Sequence, residues 1–178
     1  MSTMIIVAIL IAVIVAIALM LVSINNKHRK KAAFELVARF NELGEKNKLS
    51  FSQKEMLENS ILGLDELRKK LLVVSRSENK FDLQVINLRE IKHCSRKKLY
   101  KTINMGTVKK QQHETHIDKI VLEFDFEDKR GPVQVPFYEA GRSHLLEISD
   151  LGRKAESWEK IITRSFNNGS KLRADKRQ

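Results

Sequence analysis

The sequence predicts an α+β protein in which an N-terminal helix precedes a small antiparallel β-sheet or β-barrel, which a C-terminal helix closes. Three observations support this prediction. An unbroken apolar run at residues 4–24 predicts the first helix. Apolar and polar residues alternate over residues 120–126, as a half-buried antiparallel strand requires. Apolar residues recur every three or four positions over residues 151–166, which predicts an amphipathic helix near the C-terminus.

The apolar run predicts a transmembrane helix at residues 4–24, with a short external N-terminus at residues 1–3. The run holds no charged residue, no Gly and no Pro. At ~1.5 Å per residue, an apolar helix of this length spans a hydrocarbon layer of ~30 Å. A cleaved signal peptide fits less well because no basic segment precedes the run. A buried helix also fits less well because no turn keeps a polar face.

The basic residues that follow the run predict its orientation. Lys27, Arg29, Lys30 and Lys31 come directly after it, and basic flanks stay on the cytoplasmic side of a membrane. The sequence therefore predicts an uncleaved, single-pass signal anchor in the inner (plasma) membrane, with the N-terminus outside and the remainder cytoplasmic. The lone Cys94 excludes an internal disulfide and suits a reducing compartment. The same four basic residues are predicted to contact the bilayer through anionic lipid headgroups.

The formal net charge of +11 narrows the classes of partner. A basic protein suits nucleic acid, an anionic membrane or an acidic protein. The predicted tether favours the membrane surface among these three. Nucleic acid is disfavoured because Phe124, Phe126 and Phe137 fall on the predicted buried face, whereas single-strand binding needs exposed aromatic side chains.

Residues 25–59 are predicted to form a basic helical neck. Phe34, Val37 and Phe40 recur at helical spacing, which predicts a helix over residues 27–47 and a possible partner face. This apolar stripe could instead pack on its own domain, pair with another copy or dip into headgroups. Whether the neck continues the transmembrane helix is left open. A capping-box pattern at residues 52–55 predicts a second, short helix.

Residues 60–167 are predicted to form the β-rich domain. Strands are expected near residues 61–64, 71–74, 81–88 and 91–102, followed by a loop at residues 104–115. A hairpin then joins strands 120–126 and 133–137, and Pro136, which lacks an amide donor, predicts an edge strand. The predicted structural core comprises Leu122, Phe124, Phe126, Trp158 and Ile162.

The C-terminal helix is predicted to begin at Asp150 and to end at Asn168 and Gly169. Asp is a favoured N-cap residue, and Gly is favoured just beyond the end of a helix. The residues that follow are basic and carry no apolar pattern. Residues 168–178 are therefore predicted to form a disordered tail.

Two segments resemble the pleckstrin-homology-like (PH-like or GRAM-like) domain of bacterial single-pass membrane proteins. They are the helix RKAESWEKII at residues 153–162 and the strand VINLREI at residues 85–91. The resemblance covers about residues 60–166. It implies a strongly bent antiparallel barrel closed at one end by the helix, with Trp158 packed into the barrel. It does not imply inositide binding, because Arg68, Lys69 and Lys70 follow a very short turn without a spaced basic partner.

His93, Cys94, His113 and His116 are the candidates for chemistry. Imidazoles and a thiolate can bind a metal, but the paired cysteine spacing of metal sites is absent. A Cys–His nucleophile pair also lacks a recognisable base or oxyanion site. The glycines form no phosphate-binding run. The sequence therefore predicts a protein that is not an enzyme and holds no cofactor or metal.

The predicted function is that of a membrane-anchored adaptor or scaffold, whose cytoplasmic domain presents a binding surface to a protein partner. The alternative is an accessory subunit of a membrane protein complex. A nucleic-acid-binding or metal-binding membrane protein is disfavoured. The sequence does not determine the oligomeric state.

Overall fold

The computed structural model describes residues 2–77, 80–105, 112–128 and 130–174. For some of these residues it describes the backbone but not the side chain; they are residues 2–6, 8, 22, 25, 26, 28, 29, 103–105, 112–114 and 167–174. The described residues form two α-helices, seven strands and one 3-10 helix. In chain order the elements are α1 (Ser2–Lys46), β1 (Gln53–Met56), β2 (Ser60–Asp65), β3 (Lys70–Ser77), β4 (Lys80–Asn87), β5 (Ile91–Met105), β6 (Gln112–Phe126), β7 (Val133–Glu139), a one-turn 3-10 helix (Leu145–Glu147) and α2 (Ile148–Ala174).

The strands form two antiparallel sheets, one of four strands in the order β1-β2-β3-β4 and one of three in the order β5-β6-β7. This confirms the prediction of an α+β fold with antiparallel sheets and a C-terminal helix. Over the described part of the chain, no strand pairing joins the two sheets. The predicted alternative of a closed barrel is therefore wrong.

The main core lies between the two sheets and α2. All six residues of β2 are buried, because the main core covers one face of β2 and α1 covers the other. The residues predicted as core are buried here: Leu122, Phe124, Phe126, Trp158 and Ile162. Pro136 lies on β7, an edge strand of its sheet, with its side chain exposed.

The helix α1 runs without interruption for 45 residues, so the segment predicted as a neck continues the apolar segment. Near its C-terminal end, Leu36 and Phe40 pack on Ile61, Leu72 and Val74, and these five residues form a second, smaller core. Further toward the N-terminus, the large apolar side chains described between Val7 and Ile24 are 43–66% exposed.

Among the residues that the structure describes, no helix combines the length and the apolarity that crossing a membrane requires. This finding contradicts the predicted transmembrane helix at residues 4–24, the single-pass signal anchor, the N-out topology and the inner-membrane localisation. The resemblance to single-pass membrane proteins is contradicted with them. The corrected description of α1 is a helix of 45 residues without a membrane-spanning segment among its described residues.

The structure departs from the local sequence signals at three places. The capping-box pattern at residues 52–55 lies largely in β1, where the Ser52 hydroxyl donates to the Leu64 carbonyl at 3.1 Å instead of capping a helix. The predicted loop at residues 104–115 is shorter, because β5 and β6 pair out to Met105 and Gln112. The helix α2 passes the predicted stop at Gly169 and ends at Ala174, inside the predicted disordered tail.

Gly63 allows α1 to approach the first sheet closely. A Cβ atom on Gly63 would lie 2.6 Å from Phe51 Cδ1 and still closer to Phe40 Cζ, both in aromatic rings that pack between α1 and the sheet. We expect Gly63→Ala to lower the free energy of unfolding by about 1–3 kcal/mol through overpacking. Gly131→Ala is the matched control, since among the described residues no heavy atom beyond the glycine and its two chain neighbours lies within 4 Å of its Cβ position. Urea unfolding of both variants tests this prediction, and equal stabilities would contradict it.

Candidate functional site

The thiol of Cys94 is inaccessible. It is 2% exposed, and burial raises its pKa to about 12, with the carboxylates of Glu159 and Asp125 contributing in the same direction. Nucleophilic catalysis and metal binding both require the thiolate. Cys94 therefore stays protonated at neutral pH and serves as a small apolar residue of the core.

His93 and His116, two of the predicted candidate ligands, lie far apart. His93 pairs with Asp125, whereas His116 pairs with Lys101, eight residues further along β5. At ~3.3 Å per strand residue, the two positions lie about 25 Å apart. The side chain of His113 lies outside the described residues. Where side chains are described, no group of three or more His, Cys, Asp or Glu residues is placed to hold a metal ion.

The basic residues predicted to contact headgroups lie on α1. Lys27, Lys30 and Lys31 are exposed, and the side chain of Arg29 lies outside the described residues. No contact in the structure tests their predicted role, which stays a prediction.

The predicted partner face of α1 is divided between core and surface. Phe40 is 1% exposed, and its ring centroid lies 4.7 Å from that of Phe51. Val37 is partly buried against the smaller core. Phe34 is 76% exposed. The stripe thus packs mainly on its own domain, and only Phe34 remains open to a partner.

A pair of exposed leucines lies between β7 and α2. Leu145 and Leu146 begin the 3-10 helix and are 72% and 96% exposed. They line an open groove of about 630 Å³ together with Ile120, Ile148 and the basic residues Arg96, Lys98 and Arg153. We call Arg96, Lys98, Leu145, Leu146 and Arg153 the leucine surface.

Contacts between β5 and α2 hold the leucine surface in place. The Arg96 guanidinium donates to the Gly152 carbonyl at 3.2 Å and lies 3.5 Å from the Glu156 carboxylate. The backbone N–H of Arg96 donates to the Glu159 carboxylate at 3.1 Å. These contacts fix the strand beside the first turns of α2, so the groove has a firm basic wall.

Among the described residues, the groove at the leucine surface is lined by three basic residues and by no carboxylate, although Arg96 contacts Glu156 and Arg153 contacts Asp150 outside the lining. Lys98 follows Arg96 by two residues on β5, so both side chains lie on the same face of the sheet. Lys98 is exposed, and the Arg153 side chain is 77% exposed while it contacts Asp150 at 2.9 Å. Apolar surface flanked by cations suits an acidic segment that carries apolar side chains.

Sequence reasoning missed the leucine surface. The apolar periodicity of α2 starts at Leu151, and the alternation of β7 ends near Phe137, so neither pattern includes the two leucines. The available signal was that Leu145 and Leu146 are adjacent apolar residues that belong to neither pattern. Exposure itself depends on tertiary packing, which a pattern does not report.

Three comparisons with known proteins give no family for this chain. No protein-family model, no curated protein and no solved structure matches it.

Proposed function

We propose that this chain is a non-enzymatic adaptor that binds an acidic, partly apolar segment of a partner protein at the leucine surface. The observation that carries the proposal is the exposure of Leu145 and Leu146, at 72% and 96%, beside a basic groove. Covering apolar surface contributes roughly 25 cal/mol per Å². The neighbouring cations supply the preference for an acidic partner and speed its association.

We also propose that the two sheets and α2 adopt a PH-like arrangement. Four strands, then three strands, then a helix follow one another along the chain, and Trp158 of that helix is buried in the main core. The order of these elements and the burial of Trp158 support the proposed PH-like arrangement.

A peptide-display selection against the full chain tests the adaptor proposal. We expect the enriched peptides to combine Asp or Glu with Leu, Ile or Phe. Replacing both leucines (Leu145→Ser with Leu146→Ser) should weaken their binding at least about tenfold, a loss of ~1.4 kcal/mol. Binding should also weaken as salt is raised, because exposed charges are screened.

Leu67→Ser is the matched control, because Leu67 is 83% exposed in the turn between β2 and β3, away from the leucine surface. This change should leave both binding and stability unaltered. Enriched peptides without acidic residues, or equal binding by the double variant, would contradict the proposal.

The free edge of β4 favours a second candidate, an accessory subunit of a protein complex. Leu83 and Val85 lie opposite Val74 and Leu72 on the sheet face that α1 covers, yet they are 40% and 47% exposed. An extended segment of another subunit can add to such an edge. If the selected peptides lose binding to a Leu83→Ser, Val85→Thr variant and not to the variant of the two leucines, this second candidate is favoured.

A further inference from the structure

The outer edge of β5 is unpaired beside the leucine surface. In the three-stranded sheet, β5 is an edge strand, and β6 is its strand neighbour among the described residues. Lys98, Tyr100, Lys101 and Thr102 are all exposed, which leaves this stretch of the strand uncovered. At ~3.3 Å per residue, the edge from residue 98 to residue 102 is about 17 Å long, which is enough for a short added strand.

A hydrogen bond of Arg96 shows which backbone groups of β5 face outward. The backbone N–H of Arg96 donates to the Glu159 carboxylate of α2 at 3.1 Å. Backbone groups in an antiparallel strand point alternately toward the paired strand and away from it. Since the Arg96 N–H points away from β6, the N–H and C=O groups of Lys98 also point away from β6. Glu159 occupies the edge at Arg96, and the open stretch begins at Lys98.

This alternation continues past the irregularity in the pairing of β5 with β6. The register shift after Leu99 leaves Asp118 of β6 without a partner on β5, so the extra residue belongs to β6. A bulge bends mainly the strand that carries the extra residue. The N–H and C=O groups of Tyr100 and Thr102 therefore face outward as well, and an extended segment can pair with them.

The two faces of β5 differ in chemistry along this open edge. Tyr100 follows Lys98 by two residues, so its ring, which is 60% exposed, lies on the face of the leucine surface. Lys101 is exposed on the opposite face, where the Lys97 side chain contacts Glu123 and remains 49% exposed. A strand added beside β5 places its side chains alternately on these two faces. Apolar side chains suit the face of Tyr100, and acidic side chains suit the face of Lys101.

We infer that the acidic, partly apolar segment bound at the leucine surface docks as an added strand along the outer edge of β5 at residues 98–102. This inference rests on the proposed function and specifies its binding mode. The backbone of the segment hydrogen-bonds to the outward groups of β5. Its apolar side chains contact Tyr100 and the two leucines, and its acidic side chains pair with Lys101. The segment therefore alternates acidic and apolar residues.

Fluorescence anisotropy of labelled peptides with the full chain tests this inference. The probe is a peptide of about eight residues, blocked at both ends, in which Glu and Leu alternate. We expect it to bind at least about tenfold more tightly than a peptide of the same composition in which all Glu residues precede all Leu residues. Methylating the backbone nitrogens of one alternate set of residues should weaken binding at least about tenfold. Methylating the other set should change binding less than about threefold, because only one set faces β5.

Variants of β5 test whether the added strand lies at this edge. Lys101→Glu should weaken binding of the alternating peptide at least about fivefold, and Tyr100→Ser should weaken it by a similar factor. Lys92→Glu is the matched control, because Lys92 is an exposed lysine of the same strand on the other side of Arg96 from the open stretch. This control should bind the peptide within about twofold of the unchanged protein.

Equal sensitivity to methylation of the two sets, or equal binding of the two peptides, would overturn the inference. If the double leucine variant nevertheless loses binding, the proposed function stands and only the added strand is wrong. Sensitivity to one set that persists unchanged in Lys101→Glu and Tyr100→Ser would place the strand at another edge, which also overturns the inference. Absence of binding by every peptide would overturn both the inference and the proposed function.

Discussion

Replacing Phe40 with alanine is expected to lower the free energy of unfolding by about 3–5 kcal/mol. Phe40 is 1% exposed and fills the space between α1 and the first sheet. Its ring packs on the tilted ring of Phe51 with the two centroids 4.7 Å apart, and the Lys54 ammonium lies 5.7 Å from the Phe40 centroid. The truncation removes these contacts and leaves a cavity, because the strands of the sheet cannot collapse into the space.

Phe34→Ala is the matched control, because it removes the same side chain from the same helix. Phe34 is 76% exposed, so its truncation should change the free energy of unfolding by no more than about 0.5 kcal/mol. Urea unfolding followed by circular dichroism gives both values. Hydrogen exchange of the α1 amides adds a direct measure of helix docking. Similar decreases in the free energy of unfolding in the two variants would contradict the assignment of Phe40 to the core and of Phe34 to the surface.

The strands were predictable where the local pattern and the tertiary packing agree. Alternation along residues 120–126 predicted β6, because one face of this strand carries the core residues Leu122 and Phe124. The apolar face of α2 was predictable for the same reason, since Ala155, Trp158 and Ile162 are all buried. In both elements the periodicity of the backbone selects which side chains reach the core.

Local patterns failed where a distant segment determines the conformation. Residues 53–56 carry a helix-cap signal, but the neighbouring β2 offers a free edge, and pairing with Ile61 to Leu64 converts the segment into β1. Likewise, the residue types that made Cys94 a candidate for chemistry could not report that its side chain is buried in the core. The apolar run at residues 4–24 predicted a membrane span, but no helix among the described residues is suited to cross a membrane.

The candidate site could not be predicted, because it depends on what the rest of the fold leaves uncovered. The stripe formed by Phe34, Val37 and Phe40 has the spacing of a partner face, yet the first sheet covers Phe40. Leu145 and Leu146 show no periodic pattern, yet they remain exposed because the 3-10 helix lies at the end of β7. A sequence pattern reports which residues are apolar, and only the packing decides which of them are available to a partner.

Replacing Asp65 with asparagine is expected to destabilise the protein by about 3 kcal/mol at pH 7, because it removes charge-assisted hydrogen bonds to a buried acceptor. Asp65 is 0% exposed at the end of β2. Its carboxylate accepts hydrogen bonds from the backbone N–H of Ser50 and of Arg68, both at 2.8 Å, and from the Arg68 guanidinium at 3.2 Å. An asparagine side chain presents one N–H₂ group where two acceptor oxygens are needed.

The stability lost on replacing Asp65 should decrease as the pH falls. Burial by itself raises the pKa of Asp65, but the hydrogen bonds from Arg68 and Ser50 outweigh it and hold the pKa below its ordinary value of 3.8. The unfolded chain therefore takes up the proton more readily than the folded chain. The stabilisation by this carboxylate is complete above the unfolded pKa and is lost as the pH falls through the folded pKa.

The difference in stability between the unchanged protein and Asp65→Asn should consequently be largest at pH 7 and shrink toward pH 3. Urea unfolding of both proteins at pH 7, 5 and 3 measures this difference. The contributions of the other carboxylates to the pH dependence cancel in the difference, because both proteins contain them. Glu66→Gln, at the exposed neighbouring position, should stay within about 0.5 kcal/mol of the unchanged protein at pH 7. A difference that stays constant from pH 7 to pH 3 would show that shape, and not the buried charge of Asp65, stabilises the turn that joins β2 to β3.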